Sequence, residues 1–139
     1  MSDAPDESMR VRVALELIAA MSNNDSDAMR RILSEDVRWW IPISAAEKLG
    51  VESPRIGHES AVSMVAGGHR RYEKFVYSPQ STLTNGLEVA VFAGLDATPR
   101  NGGEQYENSY AFRLRFEGNQ VVELWEFTDT AHLFARLNV

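Results

Sequence analysis

Helical spacing of apolar residues marks the first half of the chain. From Met9 onward, apolar residues recur every three or four positions, which predicts an amphipathic helix. A second, shorter helix is predicted where apolar residues cluster between positions 28 and 33. A third helix is predicted over residues 58–74, although Gly67-Gly68 weakens the helical pattern there.

Strand-forming residues dominate the second half. β-branched and aromatic residues are frequent there, and Asn85-Gly86 is a strong signal for a hairpin turn. Four strands are predicted in this half, over residues 75–84, 87–97, 104–116 and 121–129. One earlier strand is predicted over residues 36–41. Residues 42–57 are predicted to form a long loop, in which 44–49 could form a helical turn. Residues 130–137 are predicted to form a short closing helix.

The order of these elements predicts an α+β fold. Helices come first and antiparallel strands follow, so three N-terminal helices should pack in the concave face of a curved, mostly antiparallel sheet. At 139 residues the chain has the size of one domain. Residues 1–8 are predicted to be a flexible tail and residues 9–139 a single domain. A sheet curled over helices leaves a concave pocket, where a small-molecule site is expected.

Composition excludes several classes of function. Fourteen Lys and Arg against twenty Asp and Glu give a net charge of −6, which disfavours nucleic-acid binding. The absence of cysteine excludes disulfides, thiolate nucleophiles and cysteine zinc sites. The sequence has neither a signal-peptide pattern nor an apolar run near the ~20 residues of a membrane span, so a cytoplasmic protein that binds no membrane is expected. The three histidines lack metal-ligand spacing, and neither a metal nor a cofactor is expected.

The strand predicted over 104–116 places two polar groups on an apolar face. Tyr106, Asn108, Tyr110 and Phe112 share one parity, because successive strand residues point to opposite sides. This apolar set should face inward, and Asn108 and Tyr110 then need hydrogen-bond partners or a ligand. Lying close together, they are candidates for orienting a substrate or stabilising an oxyanion.

The last strand leaves two parities open. If Leu124 faces the core, Glu126 points into the pocket. If Trp125 faces the core instead, Glu123 and Asp129 point into the pocket. Periodicity alone does not decide between these arrangements.

The outer face of the sheet is predicted to carry charge pairs and tryptophans. Four charged residues alternate with inward residues there and are expected to form cross-strand ion pairs: Arg113, Arg115, Glu107 and Glu123. Trp40 and Trp125 would lie on the same outer face, where aromatic residues can fill a homodimer interface.

Residues 106–130 carry a distinctive succession of features. An Asn-x-Tyr strand is followed by a glycine turn, a Val-x-Glu start and an aromatic-flanked Glu ahead of Asp-Thr. This pattern resembles the C-terminal half of SnoaL-like proteins, which belong to the nuclear-transport-factor-2-like superfamily. Ser34–Trp40 and Gly57-His58-Glu59 also fit, so the resemblance spans nearly the whole chain. It implies a cone-shaped α+β barrel with a deep apolar pocket, usually in a homodimer.

The resemblance also bears on the reaction. The superfamily includes polyketide cyclases, ketosteroid isomerase and limonene-epoxide hydrolase. Two residues of the hydrolase site match Phe92 and Gly94, and the isomerase base matches Ile41, so neither set of residues is present. The acidic residue that performs acid–base work on the last strand of the cyclases matches Glu126. The resemblance therefore favours the parity that points Glu126 into the pocket.

These observations predict an enzyme that transfers protons without a cofactor. A carboxyl group in an apolar pocket should have a raised pKa, which suits proton transfer. We expect an isomerase, cyclase, dehydratase or lyase acting on a small hydrophobic, ring-containing substrate, with Glu126 moving the proton and Tyr110 and Asn108 polarising the substrate. The predicted substrate-binding residues are Trp39, Ile41, Phe92, Phe112, Leu124 and His69.

Two other functions stay open. The same pocket could bind a hydrophobic metabolite without chemistry. Alternatively, the chain could be a dimerisation domain whose pocket is filled by its own side chains.

Overall fold

Within residues 7–137, which the computed structural model describes, the chain forms five helices and six strands. The helices are α1 (Glu7–Asn23), α2 (Ser26–Ile32), α3 (Ile43–Leu49), α4 (His58–Arg71) and α5 (Thr130–Leu137). The strands are β1 (Leu33–Trp40), β2 (Arg55–Ile56), β3 (Tyr72–Thr84), β4 (Glu88–Pro99), β5 (Tyr106–Glu117) and β6 (Gln120–Thr128). No helix in this part of the chain is both long enough and apolar enough to cross a membrane.

The six strands form one sheet in the order β2-β1-β6-β5-β4-β3. β1 runs parallel to β6, whereas the other neighbouring pairs are antiparallel. α1 packs on β3 and β4, and α4 packs on β1 and β3. The predicted α+β class is confirmed, with N-terminal helices, a mostly antiparallel sheet and a short C-terminal helix.

One face of the sheet forms the core. On β5, Tyr106, Tyr110, Phe112 and Leu114 are buried, and the residues between them are more exposed. Strand residues alternate between faces, so these four side chains share the side on which the helices pack. Leu17 of α1 is fully buried in the same core. The inward parity predicted for this strand is confirmed.

The opposite face of the sheet carries ion pairs. Glu123 Oε1 lies 3.1 Å from Nη2 of both Arg38 and Arg115. Trp40 Nε1 donates a hydrogen bond to the other carboxylate oxygen of Glu123 at 2.8 Å. The cross-strand pairing predicted for Arg115 and Glu123 is therefore confirmed, and Trp40 lies on this outer face.

A β-bulge settles the parity of β6. Between Val121 and Glu123, β6 advances by two residues where β5 advances by one. Val121 and Leu124 can therefore both be fully buried although they are three residues apart. Glu126, two residues beyond Leu124, then lies on the inner side and lines a cavity. Simple alternation left two parities open, because Val121 and Leu124 fall on opposite parities of an unbroken strand.

Residues 42–57 are more regular than the loop that the sequence predicts, and the helical turn considered for 44–49 is present. They contain α3, which ends at Gly50 in a left-handed conformation (φ 67°), and the two-residue strand β2. Ala45 and Ala46 are buried on α3, but seven residues are too few for a clear helical period. β2 is a strand because Arg55 and Ile56 pair with β1, a contact that is distant in sequence.

The third predicted helix ends earlier than expected. α4 stops at Arg71 rather than at residue 74, because the chain from Tyr72 onward pairs with β4. Gly68 does not interrupt the helix. A Cβ at this position would lie 3.3 Å from the ring of Phe75, so glycine permits close packing between α4 and β3.

Two residues of the predicted tail are helical in the structure. Glu7 and Ser8 were expected in the flexible tail, but they form the start of α1. Residues 1–6 of that predicted tail lie outside the described residues.

Phe92 lies on the outer face of the sheet, contrary to its predicted place in the pocket wall. It is 38% exposed, whereas Val91 and Ala93 on either side are buried. β4 carries apolar residues on both faces, so its sequence pattern could not show which face of the sheet Phe92 occupies.

The two faces of the sheet can be compared by truncating one phenylalanine on each. Phe112→Ala should lower the free energy of unfolding by about 3–5 kcal/mol, because it leaves a cavity in the core. Phe92→Ala should cost less than about 1 kcal/mol, because its ring is partly solvated. Urea unfolding of both variants measures the difference. Equal losses would contradict the observed parity.

Candidate functional site

A cavity of about 230 Å³ opens between the sheet and the helices. Its apolar walls come from four helices, through residues such as Met21 of α1, Leu49 of α3, Val65 of α4 and Leu133 of α5. At about 230 Å³ its volume lies below the ~300–1,000 Å³ that ligand pockets typically span, so it suits a small ligand. An open cavity argues against the alternative in which the protein's own side chains fill the pocket.

Glu126 is the acidic residue of this cavity. Burial among apolar groups raises the pKa of its carboxyl from 4.5 to about 7, because the charged form loses its hydration. Trp39 Nε1 donates a hydrogen bond to Glu126 Oε1 at 3.3 Å, which opposes this rise without cancelling it. The geometry gives the carboxyl a pKa at which it can both accept and donate a proton near neutral pH.

Tyr110 contributes a second polar group, backed by two further residues. Its hydroxyl lies 2.9 Å from that of Tyr106, and Asn108 Nδ2 donates to the Tyr106 hydroxyl at 2.8 Å. Either hydroxyl can be the donor of this shared hydrogen bond, and when Tyr106 donates, the Tyr110 O–H can point at a ligand. Burial also raises the pKa of Tyr110, which keeps this hydroxyl protonated.

Tyr77 of β3 is a cavity residue that sequence reasoning missed. Its hydroxyl has no hydrogen-bond partner among the described residues, and the residue lines the cavity. The ring meets those of Tyr110 and Phe112 edge-on, at centroid distances of 5.4 and 5.3 Å. Ser22 Oγ accepts a 2.9 Å hydrogen bond from the Tyr77 backbone N–H. The sequence did contain a signal for Tyr77: it lies two residues from Phe75 on a predicted strand, so both aromatic side chains share one face.

The burial of Tyr77 and the negative charge of Glu126 both raise the pKa of the Tyr77 hydroxyl. The same two causes act on Tyr110, together with the other tyrosines. Both hydroxyls therefore lie within electrostatic reach of the Glu126 carboxylate and remain hydrogen-bond donors.

The other predicted site residues occupy several different positions. Ile41 lines the cavity. Trp39 instead lies behind the Glu126 carboxyl and orients it. Phe112 and Leu124 are fully buried in the core, and the Phe112 ring stacks on that of Tyr110 at 5.9 Å.

Two predicted polar residues have structural partners rather than a place in the cavity. His69 Nε2 lies 2.7 Å from the carbonyl oxygen of Met21, and its ring contacts Phe75 at 5.3 Å. Asn108 is held by Tyr106 and donates a second hydrogen bond to the Asp129 carbonyl at 3.0 Å. Asn108 therefore acts on the cavity only through Tyr106 and Tyr110.

A cationic side chain also lines the cavity. Arg55 lies on β2, in the segment that was predicted to be a loop. Over residues 7–137, no group of three or more histidine or acidic side chains could hold a metal ion.

The fold agrees with a comparison against models of protein families. The model of the SnoaL-like domain matches residues 14–124, which is most of the chain. The chain therefore belongs to the SnoaL-like family. Comparison with curated proteins finds none that matches it.

Solved structures show the same fold at low identity. An NTF2-like protein from Burkholderia pseudomallei K96243 is 19% identical, with all of both chains covered and a TM-score of 0.81. A candidate SnoaL-like polyketide cyclase from Jannaschia sp. CCS1 is 17% identical over 100% of this chain and 98% of that one, also with a TM-score of 0.81. TerC, crystallised with polyporic acid, is 16% identical over 94% of this chain and 99% of its own, with the same TM-score.

The raised pKa of Glu126 makes stability depend on pH. The unfolded chain loses this proton near pH 4.5 and the folded chain near pH 7, so the free energy of unfolding falls as the pH rises between these values. The loss is up to about 3 kcal/mol, at about 1.4 kcal/mol per pKa unit. Glu126→Gln should remove this pH-dependent loss. Relative to the wild type, the free energy of unfolding of the variant should therefore increase by roughly that amount as the pH rises from 4.5 to about 8.

Urea unfolding of both proteins across this pH range measures the gain. Because other carboxyl groups titrate equally in both proteins, the difference between them isolates Glu126. A difference that stays constant with pH would contradict the raised pKa.

Proposed function

We propose that this protein is a cofactor-independent enzyme that transfers protons on a small, mostly apolar, ring-containing molecule. The observation that carries the proposal is the Glu126 carboxyl, whose pKa of about 7 is set by an apolar cavity that also holds two tyrosine hydroxyls. A general base whose pKa lies near the working pH can accept and donate protons efficiently. The likeness to candidate polyketide cyclases supports this class of reaction.

The proposed chemistry begins with proton abstraction next to a carbonyl group. The Glu126 carboxylate takes the proton from carbon, and the electron pair of that bond moves to the carbonyl oxygen as an enolate. Hydrogen bonds from the Tyr77 and Tyr110 hydroxyls stabilise the developing negative charge. The Trp39 N–H keeps the carboxyl oriented throughout.

The fate of the enolate then defines the reaction. Return of the proton from Glu126 to another carbon gives isomerisation. Attack of the enolate carbon on a second carbonyl group of the same molecule gives cyclisation, and Glu126 protonates the new alkoxide. Loss of a β-hydroxyl group, protonated by Glu126, gives dehydration.

A binding protein without chemistry is the second candidate function. The apolar walls of the cavity favour it, since they would hold a hydrophobic metabolite whether or not Glu126 reacts. Proton exchange separates the two functions.

Hydrogen–deuterium exchange at carbon tests the proposed function. In D₂O, the wild type should accelerate exchange of the acidic α-hydrogens of 2-tetralone, a bicyclic ketone, as followed by proton NMR. Glu126→Gln should lower this acceleration by roughly 10²–10⁴-fold. Tyr77→Phe should lower it less, because Tyr110 remains as a donor.

The matched control is Glu107→Gln, which changes an exposed glutamate on the outer side of β5 and should leave exchange unchanged. Full exchange activity in a folded Glu126→Gln variant would refute the mechanism. A wild type that binds the ketone without exchanging it would favour the binding protein.

We also propose a homodimer, which the family resemblance implies. Aromatic residues on the outer face of the sheet support it: Phe127 is 54% exposed, and Trp125 lies on this face under the guanidinium of Arg113 at 4.5 Å. Light scattering at micromolar concentration should give twice the chain mass. Phe127→Glu should give the monomer mass without unfolding the protein, and a monomeric wild type would contradict the dimer.

A further inference from the structure

Arg55 reaches the cavity because of its strand register. In the β1–β2 pair, Arg55 lies directly opposite Trp39. Side chains that face each other across paired strands project from the same side of a sheet. Trp39 is fully buried on the inner side, so Arg55 emerges on that side as well, where it lines the cavity.

The guanidinium of Arg55 is anchored but lacks a carboxylate partner. Its Nε donates to Ser60 Oγ on α4 at 3.1 Å. No ion pair or further side-chain hydrogen bond joins it to the described residues, including Glu52, which borders the adjoining surface cleft. The two Nη groups therefore remain available for a bidentate contact.

The arginines on the outer face differ in this respect. Arg38 and Arg115 both pair with Glu123, and Arg113 pairs with Glu88. Arg55 is thus a cation of the cavity wall whose electrostatic partner is missing among residues 7–137. A buried or partly buried cation gains most from an anion with matching planar geometry.

Glu126 does not supply that anion. A neighbouring guanidinium would pull the carboxyl pKa down, yet Glu126 is raised by burial and opposed by Trp39 alone. Arg55 and Glu126 therefore act at separate points of one cavity. The cavity has a cationic position and an acid–base position, with apolar walls formed by residues such as Val51 and Met64.

We propose that Arg55 binds a carboxylate carried by the substrate, so the enzyme selects ring-containing carboxylic acids over neutral analogues. The proposal rests on the cavity of the proposed function and deepens it. Carboxylate geometry matches the two free Nη groups of a guanidinium. Anchoring the carboxylate at Arg55 would turn the apolar ring toward Glu126.

Binding of two matched probes tests the proposal. 2-Naphthoate carries a carboxylate, and 2-naphthamide has nearly the same shape without the charge. By isothermal titration calorimetry at about pH 8, the wild type should bind the naphthoate about tenfold more tightly. Arg55→Gln should abolish this preference and leave naphthamide affinity unchanged, and Arg31→Gln, an exposed control on α2, should retain it.

Salt dependence of the wild type provides a second measurement that needs no variant. Raising the ionic strength should weaken naphthoate binding and leave naphthamide binding unchanged, since only the charged contact is screened. Equal affinity for both probes, a preference that survives Arg55→Gln, or no binding of either probe at about millimolar concentration would overturn the proposal.

The outcome is distinguishable from failure of the proposed function. Loss of the carboxylate preference with Glu126-dependent deuterium exchange intact would refute the role of Arg55 alone. An Arg55-dependent preference without any exchange would confirm the carboxylate site and refute the catalytic function. Glu126→Gln should retain the naphthoate preference in either case, because the two side chains act at separate points.

Discussion

The site depends on the parallel pairing of β1 with β6. These strands come from opposite ends of the chain, and their register sets Trp39 beside Leu124. Two residues further along β6, the Glu126 carboxyl meets the Trp39 N–H. The antiparallel neighbours β2 and β5 then bring Arg55 and Tyr110 to the same cavity. A shift of this register by one residue would turn Trp39 or Glu126 to the wrong face of the sheet.

Two glutamates three residues apart on β6 have opposite environments. Glu123 faces outward, where Trp40, Arg38 and Arg115 satisfy its carboxylate. Glu126 faces inward, where it receives one hydrogen bond and no cation among the described residues. The first carboxylate is paired in a way typical of a structural role. The second retains an unfavourable desolvation that lowers stability and keeps a proton available, a combination that is common in active sites.

Membership of the SnoaL-like family accounts for the architecture but not for the chemistry. The solved structures compared above have this fold but are only 16–19% identical to this chain, a level at which the side chains of a pocket differ widely. The function must therefore be argued from the particular groups that meet in this cavity. In this chain the ionisable side chains among them are one carboxyl group, two tyrosine hydroxyls and one guanidinium, each supplied by a different strand.

The sequence by itself determined those elements whose hydrophobic period or turn motif is contained in neighbouring residues. The first helix, the Asn85-Gly86 turn and the inward parity of β5 were all predictable, because neighbouring residues specify them. Glu126 was found by resemblance, since a bulge breaks the alternation of β6. Within the predicted loop, α3 matches the helical turn considered for residues 44–49, whereas tertiary structure decided that β2 forms there and that Tyr77 and Arg55 enter the cavity. Those outcomes depend on pairings between residues distant in sequence, which no local pattern encodes.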